Sequence, residues 1–190
     1  MRLRNDFEKR LFIGIPAGRE IKPIMFDIQS SMEHKPGQIR WVPPKNIHMT
    51  LFFLGNVCLD GIPKLTEALE DVVALNHFRA SIEKTGVFPS TRNPKIFWLG
   101  VGRGRQKMIL LHEKVKKAVS LFKEGKKEEN FIPHISIGRA AKSYGKIDVL
   151  PFLEYVYSPR ELDVNSVVLY ESQLLAEGGE YKVLTRFPLN

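Results

Sequence analysis

The sequence predicts an α+β fold, on two main observations. Two strand-like runs, at 48–50 and 134–136, carry the same pattern of a histidine, an apolar residue and a hydroxyl residue. Near the C-terminus, strand-like segments at 164–169 and 181–187 are joined by the glycine-containing stretch 176–180, as in a β-hairpin. Alternation of strands and helices is also typical of a doubly wound parallel sheet, but the paired runs and the closing hairpin favour antiparallel sheets.

The first half of the chain alternates between strand and helix patterns. Residues 11–15 form an apolar run typical of a buried strand, and a hinge-like stretch at 35–37 leads to the first motif. A helix between them, with Pro23 tolerated in its first turn, is indicated by apolar residues at helical spacing: Ile21, Ile24, Met25, Ile28 and Met32. A second helix, capped by Asp60, is predicted to bury Ile62, Leu65, Leu69 and Val72 or Val73.

The second half continues this alternation. Residues 78–82 alternate like a half-buried strand, and residues 96–101 are typical of a more buried one. The stretch 89–94 between them predicts a turn-rich loop because it contains two prolines and an asparagine. A third helix is indicated by Met108, Leu111, Val115, Val119 and Phe122, and an exposed, charged connection at 123–130 leads to the second motif.

Composition narrows the class of protein. With 190 residues and 43% hydrophobic content, the chain can bury a core as one domain or as two small lobes, and we expect one domain over 1–190. A net charge of +8 favours anionic partners such as RNA. The single cysteine, Cys58, excludes an internal disulfide and suits a reducing cytoplasm. No segment resembles a signal peptide or a membrane span, so we expect a cytoplasmic protein with no membrane partner.

The two motifs place matched chemistry on two strands. Because successive side chains of a strand alternate between faces, His48 shares a face with Thr50, and His134 shares one with Ser136. Two imidazoles that titrate near neutral pH can divide the acid and base roles of one step. A phosphodiester displacement needs that division, and hydroxyl groups can donate hydrogen bonds to the phosphate oxygens. The motifs therefore indicate phosphodiester chemistry that needs no metal.

Structural interpretations compete with this one. A single His-x-Thr in a strand is more often structural, but two copies 86 positions apart favour a site, and Arg139 follows the second. A zinc site would need two further ligands, which no cluster of Cys or His provides, so no metal site is predicted.

On the apolar face of the third helix, His112 has the pattern of a packing histidine. The turn 100–104 joins a strand to a helix and is a weaker candidate for presenting arginines to a phosphate backbone.

The chain resembles the two-histidine phosphoesterases, and within them the RNA 2′,3′-cyclic phosphodiesterases first described as 2′-5′ RNA ligases. The resemblance runs from about residue 10 to residue 184. Its landmarks, in order, are the opening strand at 10–16, the approach and first motif at 40–51, the middle section at 86–89 and 97–101, the second motif at 133–139, and the C-terminal segments at 171–172 and 179–181.

The resemblance implies a fold and a set of roles. The fold would have two pseudo-symmetric lobes of antiparallel sheet backed by helices, with one motif from each lobe facing a central cleft. His48 would be the proton donor and His134 the proton acceptor, while Thr50 and Ser136 would hold the phosphate. Arg139 would supply positive charge to the phosphate. No cofactor is implied.

Strict alternation from His134 would turn Arg139 to the opposite face of its strand. A strand that ends or bulges at Gly138 would restore it to the cleft, because glycine suits a bulge. Of the aromatic residues, Trp41, Phe52 and Phe88 are candidates for stacking on a base, although burial in the core is the commoner fate of such side chains.

The implied function is metal-independent hydrolysis of RNA 2′,3′-cyclic phosphate ends to 2′-phosphomonoesters, with reversible 2′-5′ ligation that needs no ATP. The expected partner is RNA with 2′,3′-cyclic ends, tRNA fragments included, and the expected state is a monomer. Two alternatives remain. One is a cyclic phosphodiesterase acting on small nucleotides, such as ADP-ribose 1″,2″-cyclic phosphate, or on 2′-5′ oligoadenylate. The other is an RNA-binding module without catalysis.

Overall fold

A computed structural model describes residues 7–32, 37–70, 72, 75–122, 130–141, 145, 147–175 and 178–190. Its strands are β1 (Glu8–Pro16), β2 (Ile39–Trp41), β3 (His48–Cys58), β4 (Phe78–Ser90), β5 (Asn93–Val101), β6 (His134–Ala140), β7 (Arg160–Val164), β8 (Ser166–Leu175) and β9 (Gly178–Pro188). Its helices are α1 (Gly18–Ser31), α2 (Ile62–Glu70), α3 (Arg105–Ala118) and the short α4 (Leu150–Leu153).

The described strands form two antiparallel sheets, which confirms the α+β prediction. The first sheet has four strands in the order β3-β1-β8-β9, and the second has five in the order β2-β6-β5-β4-β7. Every pairing among these strands is antiparallel. The two motif strands, β3 and β6, belong to different sheets and lie against each other.

One apolar core serves both sheets. In β1, Leu11, Ile13 and Ile15 enter this core, whereas Phe12 joins a separate small cluster on the opposite face. Such alternation is what a strand with one buried face requires. From the helices, the core receives Ile21, Ile24, Met25 and Ile28 of α1, Leu65 and Leu69 of α2, and Met108, Leu111 and Val115 of α3. No helix of the described part is long and apolar enough to cross a membrane.

The predicted turn-rich loop at 89–94 is wrong. β4 continues to Ser90 and β5 begins at Asn93, so only two residues make the turn. Pairing between β4 and β5 overrides the local proline and asparagine signals here, because it continues as far as Ser90 opposite Asn93. Pro89 lies at a register shift, where a missing N–H is tolerated.

Several predicted connections fall on residues outside the described ranges. These are residues 123–129 of the charged connection, 35–36 of the hinge-like stretch, Val73, and residues 176–177 between β8 and β9. The hairpin itself is present, with β8 and β9 paired from Ser166 opposite Pro188 to Leu175 opposite Gly178.

Candidate active site

The first motif lies at the start of β3, beside Gly14 of the neighbouring strand β1. His48 pairs with Pro16 and Thr50 pairs with Gly14 on β1. A Cβ on Gly14 would lie 2.7 Å from the carbonyl oxygen of Met49 and 3.3 Å from Cδ2 of His48. The absence of a side chain at residue 14 therefore lets the imidazole of His48 pack closely against the backbone of β1.

The His48 ring is held at both nitrogens. Nδ1 lies 2.7 Å from the carbonyl oxygen of Asn46, and Nε2 lies 3.0 Å from the hydroxyl oxygen of Thr50. A carbonyl oxygen only accepts hydrogen bonds, so Nδ1 carries the proton and the neutral ring accepts the Thr50 hydroxyl at Nε2. Asn46 is itself fixed, because its buried side-chain amide donates to the carbonyl oxygen of Gly179 at 2.6 Å. The β8–β9 hairpin thus braces the segment that orients His48.

Aromatic side chains surround His48 on the first sheet. The ring of Tyr181 meets the imidazole edge-on at 5.1 Å and 88°, and Phe12 lies tilted against it at 4.8 Å. Phe12 also stacks on Tyr170 at 4.9 Å. This packing removes much of the ring of His48 from water while leaving its face of β3 half-buried.

The second motif repeats this arrangement at the start of β6. Nδ1 of His134 lies 2.7 Å from the carbonyl oxygen of Ile132, again two residues earlier in the chain, so Nδ1 again carries the proton. Phe88 contacts the ring edge-on at 5.0 Å, and Trp98 lies 6.1 Å away. Both motif histidines therefore carry a proton on Nδ1, so Nε2 is the acceptor nitrogen of each neutral ring.

A bulge in β6 decides the direction of Arg139. Residues 97–98 of β5 are consecutive, yet they pair with Gly138 and Ser136, so Ile137 is an extra residue. The extra residue shifts the alternation by one position and turns Arg139 onto the face of Ser136. The bulge expected at Gly138 is thus present one residue earlier, and the arginine is exposed on the face that carries the motif.

β3 has a bulge at the same place relative to its motif. Residues 13–14 of β1 are consecutive, yet they pair with Phe52 and Thr50, so Leu51 is an extra residue. The shifted alternation turns Phe53 onto the face of Thr50, where 61% of its surface is exposed. Leu51 is anchored from behind, because Nδ1 of His112 on α3 donates to its carbonyl oxygen at 2.8 Å. This contact confirms the packing role predicted for His112.

The electrostatics of the site favour neutral imidazoles when no ligand is bound. Burial lowers the pKa of His48 to about 4; the hydrogen bond to Asn46 opposes this, and the positive charges of His134 and Arg139 add to it. Burial also lowers the pKa of His134, against the opposing effect of its hydrogen bond to Ile132. β3 and β6 contact each other although they belong to different sheets, so the polar groups of the two motifs lie in one region of the molecule.

The five predicted site residues lie on β3 and β6, each on the face of its strand that carries the motif histidine. Sequence reasoning missed the bracing role of Asn46, because a single asparagine before a strand carries no signal of a partner more than a hundred residues away. Of the stacking candidates, Phe88 contacts His134, whereas Trp41 and Phe52 pack against the core. Within the described ranges, no three residues of the types His, Cys, Asp and Glu are grouped as a metal site would need.

The chain is similar in sequence to known proteins over most of its length. A family model for the 2′-5′ RNA ligase superfamily matches residues 19–174. The chain is 31% identical over 186 residues to an RNA 2′,3′-cyclic phosphodiesterase of Aquifex aeolicus, a match that covers 95% of this chain and 97% of the relative. It is 32% identical over 176 residues to an RNA 2′,3′-cyclic phosphodiesterase of Thermotoga maritima, covering 92% of each.

Solved structures show the same fold. The protein TT0787 of Thermus thermophilus superposes with a TM-score of 0.78 at 25% identity, over 95% of this chain and 97% of that one. Escherichia coli LigT in its apo form gives a TM-score of 0.75 at 22% identity, over 97% of this chain and 99% of that one. The resemblance found in the sequence is confirmed, and the protein is an enzyme that belongs to the 2′-5′ RNA ligase superfamily.

Proposed function

We propose that the protein hydrolyses RNA 2′,3′-cyclic phosphate ends to 2′-phosphomonoesters. The observation that carries the proposal is the matched pair of imidazoles, each held through Nδ1 by the carbonyl oxygen two residues earlier. Each ring also has a hydroxyl residue two positions later on its own strand. The names of the relatives supply the substrate, since they are called RNA 2′,3′-cyclic phosphodiesterases.

The proposed step is an in-line displacement at phosphorus. Thr50, Ser136 and Arg139 hold the non-bridging oxygens of the cyclic phosphate, where charge develops in the transition state. Nε2 of neutral His134 takes a proton from the attacking water as the new P–O bond forms. Nε2–H of protonated His48 gives its proton to the 3′ oxygen as the P–O3′ bond breaks. The products are a 2′-phosphomonoester and a free 3′-hydroxyl.

The lowered pKa values fit the role of His134 as the base directly, and they fit the role of His48 as the acid only once the substrate is bound. A low pKa keeps His134 neutral, as a base must be. His48 must be protonated, and in the unliganded protein its pKa of about 4 opposes that. A phosphodiester anion next to the ring favours the charged imidazolium and raises its pKa. Substrate binding therefore favours the protonated form of His48 that the leaving oxygen needs.

The same site would support ligation. If the 5′-hydroxyl of a second RNA replaces water, His134 takes its proton and a 2′-5′ phosphodiester forms, with no need for ATP because the cyclic phosphate is the energy source. RNA ends, including those of tRNA fragments, are the proposed partners of a monomer. The net charge of +8 supports an RNA substrate, and a cytoplasmic location is proposed from the exposed free thiol of Cys58.

The test is incubation of the protein with an oligonucleotide that ends in a 2′,3′-cyclic phosphate, with and without EDTA. We expect a 2′-phosphomonoester in both cases. Binding without turnover would favour the non-catalytic RNA-binding module, and turnover of small cyclic nucleotides alone would favour the small-substrate enzyme. Activity that EDTA abolishes and a divalent ion restores would contradict the metal-independent mechanism.

A further inference from the structure

Two arginines face each other across the edge of the second sheet. Arg40 on β2 pairs directly with Arg139 on β6, and both are exposed. The neighbours of Arg40 on β2, Ile39 and Trp41, both face the core, so Arg40 points to the other face, which is the face of the cleft. Like charges at directly opposed positions on a sheet are destabilising, which makes this pair unusual for a purely structural surface.

Neither arginine is neutralised by an acidic side chain of the described part. Other cations on the surface are neutralised by carboxylates. Arg103 and Arg79 pair with Glu161, and Lys9 pairs with Glu171 at 2.7 Å. The arginines of the β2–β6 pair make no such contact in the described ranges. Two adjacent guanidinium groups with no carboxylate partner form a natural site for phosphate oxygens.

The two arginines lie at different distances from the histidines across the sheet. Arg139 is on the motif strand itself, where the bulge turns it onto the face of Ser136, the residue proposed to hold the reacting phosphate. Arg40 lies one strand further out, about 4.8 Å away in the direction of the strand-to-strand hydrogen bonds. An RNA strand carries a phosphate at every nucleotide, so a strand held at its end by Arg139 presents its next phosphate to the neighbouring positions.

We propose that Arg40 binds the phosphodiester adjacent to the reacting phosphate, on the same RNA strand. The ligand class is an RNA strand of at least two nucleotides, as opposed to a cyclic mononucleotide. This inference rests on the proposed function and goes beyond it, because it assigns a second phosphate site and a preference for substrate length. Arg40 would be a residue that sets specificity for polymer ends and would not contact the reacting atoms.

The test compares two substrates in one assay, a 2′,3′-cyclic mononucleotide and a trinucleotide that ends in the same cyclic nucleotide. We expect the wild-type protein to have the higher kcat/KM for the trinucleotide. In Arg40→Ala, the trinucleotide-to-mononucleotide ratio should fall by about 10- to 100-fold, as expected for loss of a charge-assisted hydrogen bond. The slope of log(kcat/KM) against log salt for the trinucleotide should become shallower by about 0.7, corresponding to one lost phosphate contact.

Matched variants distinguish the specific effect of Arg40 from the effect of losing one positive charge anywhere on the surface. Lys64→Ala removes the same charge from an exposed position of α2 and should leave the ratio unchanged. Arg40→Lys keeps the charge and should retain most of the preference. Because Arg40 is exposed and faces a like charge, none of these variants should have a melting temperature appreciably below that of the wild-type protein.

Two results would overturn the inference while leaving the proposed function intact. One is a wild-type protein with no preference for the trinucleotide. The other is an Arg40→Ala variant that loses activity equally on both substrates, which would assign Arg40 to the reacting phosphate. If the wild-type protein hydrolyses neither substrate, the proposed function fails. The second phosphate site is then tested by equilibrium binding of a trinucleotide 2′-phosphate to the wild-type protein and to Arg40→Ala, and weaker binding by the variant would support the site. Equal affinities would rule it out.

Discussion

Phe53 and Arg139 occupy equivalent positions on the two strands that carry the motif histidines. Each is the fifth residue after its histidine, and each follows a one-residue bulge that turns it onto the face of the motif. One is an exposed aromatic ring and the other an exposed cation. The cleft is therefore symmetric in its backbone and asymmetric in its chemistry.

This asymmetry gives the cleft two different sides. On the side of the first sheet, Phe53 lies 6.1 Å from Phe12, within the aromatic cluster that also contacts His48. On the side of the second sheet, Arg139 and Arg40 present positive charge. A nucleotide has an aromatic base and anionic phosphates. We therefore expect a cleft with one aromatic side and one positively charged side to favour one orientation of the substrate over the reverse.

The two histidines can be tested with asparagine, whose amide can replace the Nδ1–H donor to the carbonyl oxygen two residues earlier. His48→Asn and His134→Asn should each lower kcat by about 10²- to 10⁴-fold, the usual contribution of a positioned acid or base. Melting temperatures should change little. The exposed His77 is the matched control, and full activity in either motif variant would contradict the assignment.

The division of roles can be tested with a substrate whose 3′ bridging oxygen is replaced by sulfur. A thiolate leaves without protonation, so the variant that lacks the acid should recover activity on this substrate, whereas the variant that lacks the base should not. We expect recovery in His48→Asn. Recovery in His134→Asn instead would reverse the two roles and leave the two-histidine mechanism standing.

Titration of the imidazole C2 protons by NMR should give His48 a pKa of about 4 and should give His134 a pKa below its usual range, because burial disfavours both charged rings. Addition of inorganic phosphate should raise the pKa of His48, because the anion stabilises its charged form. The lowered folded-state pKa also means that the contribution of His48 to stability is full above about pH 6.5 and is lost as the pH falls towards 4. A pKa near 6.5 for His48 without ligand would contradict the burial described above.

The pH dependence of turnover follows from the same shifts. Since kcat/KM reports the free enzyme, its optimum should lie between about pH 4 and the lowered pKa of His134, on the acidic side of 6.5. The optimum of kcat should lie at higher pH, because bound substrate raises the pKa of His48. Identical pH profiles for the two parameters would argue against that coupling.

The hydroxyl groups are expected to act mainly in the transition state. Thr50→Val and Ser136→Ala each remove one donor to the phosphate, and each should lower kcat by about 10²-fold with a smaller effect on KM. Thr50→Ser and Ser136→Thr keep the hydroxyl and should retain most of the activity. An effect on KM alone would assign these residues to ground-state binding.

Gly14 tests the packing beneath His48. In Gly14→Ala, the new methyl group would meet the Met49 carbonyl at 2.7 Å and His48 at 3.3 Å, so β3 must shift. We expect a loss of about 1–3 kcal/mol in the free energy of unfolding, typical of overpacking, together with reduced kcat. Gly61→Ala is the control, because its new Cβ would be in ordinary contact with Val57 at 3.6 Å. Equal stability of the two variants would contradict the close approach.

Local pattern predicted much of the fold and the site. The alternation of His48 with Thr50 and of His134 with Ser136 depends only on the two-residue period of a strand, and the structure has both pairs on one face. The helical spacing of the α1 apolar residues likewise needs only local geometry. The loop expected at 89–94 was wrong, because β4 and β5 stay paired as far as Ser90 opposite Asn93, and pairing between strands has no local signal in the sequence.

The sequence by itself determined which chemical groups are present and how each motif is arranged along its own strand. Tertiary structure decided the remainder. The bulges at Leu51 and Ile137 depend on the register with neighbouring strands, and they set the direction of Phe53 and Arg139. The pKa of His48 depends on aromatic rings, an arginine and a second histidine that are distant along the chain. Register and burial arise from contacts between distant segments, so they exist only once the two sheets have packed.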